Sequence, residues 1–101
     1  MRKSIALLIE DVWDKKERVY PTTWEAMGFV NTELGEVYEL LLARTDREWV
    51  RNNPDNHEGW SEDRFVEELG DTIMMLMVAG MVMGRDPLLA LRDKLERELK
   101  E

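Results

Sequence analysis

Cysteine is absent from this chain, so disulfide staples and thiolate metal sites are excluded. Histidine is almost absent, with His57 alone. That argues against helical di-iron centres, which need Glu-x-x-His pairs on their helices. No apolar run approaches the ~20 residues of a membrane helix, and Ile73 to Met83 reaches about half that length. The opening stretch Met1 to Ile9 faintly resembles a signal peptide. It stops at Glu10-Asp11 without a small-residue cleavage site, so a cytoplasmic protein is expected. Positive charge is scarce: 14 Lys and Arg face 22 Asp and Glu, for a net charge of −8. That balance opposes a bare nucleic-acid backbone or an anionic membrane as partner. A phosphorylated small molecule stays open, because a divalent cation reverses the field locally.

What is present is apolar and helical. Hydrophobic residues make up 44% of the 101 positions, enough for a packed core and too many for a disordered tail. The length suits one domain, residues 1–101. Ile5, Leu8, Ile9, Val12 and Trp13 predict a first helix over about 4–18, and Tyr20-Pro21 breaks it. Thr22 or Thr23 caps a second helix reaching about Arg44, with the stripe Met27, Val30, Leu34, Val37 and Leu41. Asp46 to Trp60 is rich in turn formers and reads as the one long connection, with a possible helical turn near Trp49. Ser61 caps a third helix that should reach Met83. Gly84 suits a C′ position, Asp86 an N-cap and Pro87 the first turn of a fourth helix. The expectation is an all-α fold of four helices. The third is apolar nearly all round between Ile73 and Met83, so a second subunit is expected to cover it.

Four acids stand out. Glu33-Leu34-Gly35-Glu36 on the second helix is echoed by Glu68-Leu69-Gly70-Asp71 on the third. Each places two carboxylates at i and i+3, on one face of a helix. At 100° per residue, Glu33 falls inside the apolar stripe with Glu36 at its border, and Glu68 and Asp71 head a face continued by Met75, Ala79 and Val82. Glu39 lies opposite the stripe and reads as a surface charge. Four inward carboxylates must bind protons or a cation. All-oxygen ligation selects Mg²⁺ or Mn²⁺ over zinc. Mg²⁺ keeps open positions for phosphate oxygens, so phosphate esters and phosphoanhydrides are the suited substrates. Gly35 and Gly70 are expected to admit another helix or a ligand close to the backbone.

These motifs resemble the MazG-type branch of the all-α nucleoside triphosphate pyrophosphohydrolases, a group that includes dUTPase-like helical enzymes. Thr32-Glu33-Leu34-Gly35-Glu36 matches its E-E-x-x-E pattern at all but the first acid, where Thr32 stands. Glu67-Glu68-Leu69-Gly70-Asp71-Thr72-Ile73 is similar to its next-helix signature. Met83-Gly84-Arg85-Asp86-Pro87, followed by Lys94-Leu95, is similar to its last hairpin, with Glu98 where many relatives carry Asn. The resemblance implies a MazG-like bundle completed as a homodimer or homotetramer. It also implies that Glu33, Glu36, Glu68 and Asp71 are catalytic and bind Mg²⁺, with Mn²⁺ a possible substitute. The expected reaction is hydrolysis of a nucleoside triphosphate, or its deoxy form, to monophosphate and pyrophosphate, a hydrolase activity suited to housecleaning of the nucleotide pool.

Lys94 and Trp24 are the candidate substrate contacts. Trp13, Trp49 and Trp60 share with Trp24 two readings, base stacking or the commoner core and interface packing. Lys15, Lys16 and Arg18 suit either phosphates or the dipole at a helix C-terminus. The non-enzymatic alternative is a helical regulatory module whose carboxylates hold a structural ion.

Overall fold

The computed structural model describes residues 2–45 and 60–100. Among them stand four α-helices and no strand: α1 (Ile5–Lys15), α2 (Thr23–Thr45), α3 (Glu62–Met81) and α4 (Pro87–Leu99). The connection expected over 46–60, with Trp49 and His57, lies outside the described residues except for Trp60.

Local chemistry sets the boundaries. Ser4 Oγ accepts from Leu7 N–H at 3.2 Å and Ser61 Oγ from Arg64 N–H at 3.3 Å, so each serine caps its helix. Thr22 and Glu25 form a reciprocal capping box: Glu25 N–H donates to Thr22 Oγ1, and Thr22 N–H to Glu25 Oε1, both at 3.1 Å. Those bonds also hold the Glu25 carboxyl below its usual range. Asp86 Oδ1 accepts from Leu88 N–H at 2.9 Å, with Pro87 following as the first helical residue.

α3 stops at Met81, slightly short of the expected Met83. Arg85 N–H donates to Gly80 O at 3.0 Å and Gly84 N–H to Met81 O at 2.9 Å, the two bonds of a Schellman closure. Gly84 supplies the required left-handed backbone, with φ of 74°. α1 closes the same way without a glycine. Arg18 N–H donates to Trp13 O at 2.8 Å, Glu17 N–H to Asp14 O at 3.1 Å, and Glu17 itself sits at φ 53°. The chain accepts a left-handed non-glycine residue there, at a cost of roughly 1–2 kcal/mol.

Among the described helices α3 is the hub, with α1, α2 and α4 each packed against it. α2 and α3 run antiparallel. Thr23 Oγ1 donates to Ala79 O at 3.3 Å at one end. At the other, the Arg44 guanidinium lies 4.8 Å from the centroid of the Trp60 ring. The core gathers Ile9 and Trp13 of α1, Ala26 of α2, and Met77, Val78 and Ala79 of α3. Met74, Met75, Met77 and Met81 of α3 thus serve as packing residues.

Two expectations need correction. Val30 and Val37 are buried, but Met27, Leu34 and Leu41 are exposed, and Ala26 and Leu40 take their place. The face turned to α3 is rotated by one residue, leaving the other edge of the apolar arc uncovered on the protomer. Nor does the protomer use Gly35 or Gly70 for close approach, since a Cβ at either would meet nothing within 4 Å. The glycine that does so is Gly80, where a Cβ would lie 2.5 Å from Pro87 Cγ. That missing side chain lets the α3–α4 hairpin close.

Candidate metal centre

Glu33 and Glu36 are one turn apart on α2, and Glu68 and Asp71 one turn apart on α3. Antiparallel packing brings the two turns face to face. One carboxylate oxygen from each of Glu33, Glu36 and Glu68 lies within 4.8 Å of the others. Glu33 and Glu68 are half-buried and Glu36 is exposed. Asp71, also half-buried, stands beside this trio and shares a hollow with Glu33.

The electrostatics of the trio are adverse without a counter-charge. Burial, then the neighbouring Glu36 and Glu33, push the Glu68 carboxyl up to about 7. Glu33 is raised too, first by burial and then by the charges of Glu36 and Asp71, against a lowering hydrogen bond with Glu68. Among the described residues, no donor from outside the acid cluster satisfies the buried Glu33 Oε2 and Glu68 Oε2. Buried acceptors of this kind are normally satisfied. Oxygen-only donors, converging and partly orphaned, fit a hard divalent cation such as Mg²⁺ or Mn²⁺.

The remaining candidates fall elsewhere. Glu39 is exposed, as expected for a surface charge. Thr32 is exposed, and its hydroxyl donates to Gly28 O at 3.2 Å. Trp24 is 89% exposed in the first turn of α2 and lines neither hollow described here. Lys94 pairs with Glu98 at 2.6 Å on α4, a helix that packs on α3 alone. Neither residue is brought to the carboxylates within the protomer.

The structure also brings together Trp13 and Arg18, which the sequence offered only as separate candidates. A hollow of about 450 Å³ beside the cluster is bounded by Trp13, Arg18, Phe29, Glu33, Asp71 and Met75, among others. Trp13 stacks on Tyr20 at 5.8 Å and 19°. The Arg18 guanidinium, turned back by the Glu17 closure, lies 4.9 Å from the Trp13 ring centroid. A further hollow of about 550 Å³ on the same indole is lined by Glu10, Asp14 and Tyr20 and by none of the cluster's carboxylates. The signal available in the sequence was Arg18 five residues beyond Trp13, the reach of a helix closure.

No family model, no curated protein and no solved structure matches this chain.

Proposed function

We propose that the chain is a divalent-cation-dependent nucleoside triphosphate pyrophosphohydrolase of the MazG type, producing nucleoside monophosphate and pyrophosphate. The observation that carries this reading is the convergence of Glu33, Glu36 and Glu68 from two antiparallel helices, with Asp71 alongside. Two of those acids keep orphaned buried oxygens, and a proton or a cation among the carboxylates relieves such a group. The motif resemblance supplies the substrate class.

Bound there, Mg²⁺ or Mn²⁺ would neutralise phosphate charge and orient a water for in-line attack. Glu33, Glu36 and Glu68 would hold the ion, with Asp71 alongside as a further carboxylate. A carboxylate oxygen of the cluster takes the proton from the attacking water as its oxygen bonds to the α-phosphorus. The bond from that phosphorus to the α–β bridging oxygen breaks, and pyrophosphate departs with the bridging oxygen.

Assembly as a homodimer or homotetramer belongs to the same reading. Val66, Leu69, Ile73 and Leu76 lie exposed on α3 at alternating spacings of three and four, a seam suited to a facing helix. Met27, Leu34 and Leu41 leave a parallel apolar row on α2. α4 has no buried residue at all. Sedimentation at micromolar concentration should show a dimer or tetramer, and a compact monomer would remove this part of the proposal. The reaction itself is tested by incubating the protein with nucleoside triphosphates and Mg²⁺ and resolving the products. Monophosphate with pyrophosphate is expected. Diphosphate with orthophosphate, or no turnover of any nucleotide, would overturn it in favour of a non-catalytic module.

A further inference from the structure

Three cations stand at the end of α1, and the structure separates them. Lys15 lies in the last helical turn, where the helix dipole accounts for it, and Lys16 is the C-cap. Neither lines a hollow described here. Arg18 does, and among the described residues it is the one cation on the hollow that Glu33 and Asp71 share. Its side chain is exposed, with the guanidinium 4.9 Å from the Trp13 ring centroid. Among the described residues it makes no ion pair, not even with Glu10 or Asp14 of the neighbouring hollow. The indole offers the charge a partner but gives the five N–H groups no oxygen to donate to. The chain keeps the group there at a cost. Glu17, a non-glycine residue at φ 53°, turns the backbone so that Arg18 N–H reaches Trp13 O. Strained residues of this kind cluster where a site needs them.

The charge balance beside Arg18 gives the group a task. Four carboxylates outweigh one divalent ion, so the loaded centre stays net negative and repels a phosphate chain. A cation outside the ligand set offsets that repulsion. From this free guanidinium on the cluster's hollow we infer that Arg18 is that cation. It donates to the phosphate chain of the substrate, whose other oxygens go to the carboxylate-bound ion. The inference rests on the proposed function for its substrate class. The planar guanidinium suits the role, because its paired donors match two phosphate oxygens at once. An exposed contact with a ring is weak, so the group turns from indole to phosphate readily.

The test reads anion binding separately from turnover. Calorimetry follows inorganic pyrophosphate in the presence of Mg²⁺, and Mg²⁺ alone, for the parent, Arg18→Gln, Arg18→Lys and Lys16→Gln. Pyrophosphate should bind Arg18→Gln about ten- to a hundredfold more weakly, the worth of a hydrogen bond to a charged group. Arg18→Lys should fall between, since it keeps the charge and loses the paired donors. Mg²⁺ alone should bind Arg18→Gln no more weakly than the parent, which a damaged site would not allow. Lys16→Gln removes the same charge two residues away and should stay within about twofold of the parent at physiological salt. A parent that binds no pyrophosphate, equal binding by parent and Arg18→Gln, equal weakening in Arg18→Gln and Lys16→Gln, or loss of Mg²⁺ binding with Arg18 overturns the inference. Triphosphate hydrolysis with an unchanged KM in Arg18→Gln likewise removes the contact and leaves the reaction standing. Arg18-dependent pyrophosphate binding in a protein that hydrolyses no triphosphate upholds the contact and removes the reaction.

Discussion

One helix carries two opposite solutions to burial. Between Met74 and Val82, α3 packs sulfur and methyl groups against Ala26, Ile9 and Trp13, and what is hidden there stabilises the fold. One turn earlier, at Glu68 and Asp71, it half-buries carboxylates against Glu33 and Glu36, and what is hidden there opposes the fold while the acids are charged and without a counter-ion. The core end holds the two helices in register so that the acid end can be kept in an unfavourable arrangement. Apolar packing and clustered charge are divided along the helix rather than mixed.

Breaking the core end should have the largest effect. Met77, 2% exposed, should cost about 2–5 kcal/mol on truncation to Ala, read as a lowered denaturation midpoint. Breaking the acid end should act on turnover instead. Glu36→Gln and Asp71→Asn should each lower kcat by about a hundredfold or more, because each deletes a charge beside the cation while keeping its shape. Their folds should survive, and loss of folding would erase the division between the two ends.

The next contrast is between loaded and metal-free protein. Mg²⁺ at about a hundred times its Kd should add ~2.7 kcal/mol, seen as a rise in Tm that matched monovalent salt does not reproduce. An unchanged Tm at millimolar Mg²⁺ would remove the metal centre. The pH dependence sharpens this further. Unfolded glutamate titrates near ~4.3, whereas folded Glu68 is raised to about 7. Between those values the folded chain binds the extra proton, so metal-free stability should fall as pH rises through that window. Glu68→Gln should flatten the fall, and thermal melts at several pH values check it. Smallest of all, Glu39→Gln should stay within about 0.5 kcal/mol of the parent and keep its activity.

The helices and their ends were legible because their causes are local. Ser4, Thr22, Ser61, Asp86-Pro87 and Gly84 announce themselves within four residues of the backbone groups they satisfy. Glu33 and Glu68 were legible because acids on an apolar face contradict that face, whereas Glu36, at the border of its arc and expected to face inward, is exposed. The exact face of α2 was not. Periodicity gives a broad arc, and only the packing of α3 selects Ala26 and Leu40 over Met27 and Leu41. Close approach was attributed to Gly35 and Gly70 by their matching places in two motifs. It falls instead to Gly80, whose neighbour Pro87 arrives only once the hairpin turns. The Trp13 hollow was hidden because it needs α1, α2 and α3 together, and because its left-handed hinge is a glutamate that nothing in the sequence marks.

α4 is the helix with the least to hold it on the protomer. Among the described elements its 13 residues pack on α3 alone, and none of them is fully buried. An unsupported helix of that length is marginal in water. Its exposed pairs Arg92–Glu96 and Lys94–Glu98 place the cation before the acid, the weaker order for such pairs. On a lone protomer these 13 residues should exchange their amide hydrogens long before the core does, and neighbouring copies should slow that exchange. The far end of the chain would then report subunit concentration by its own degree of order, without any ligand being bound.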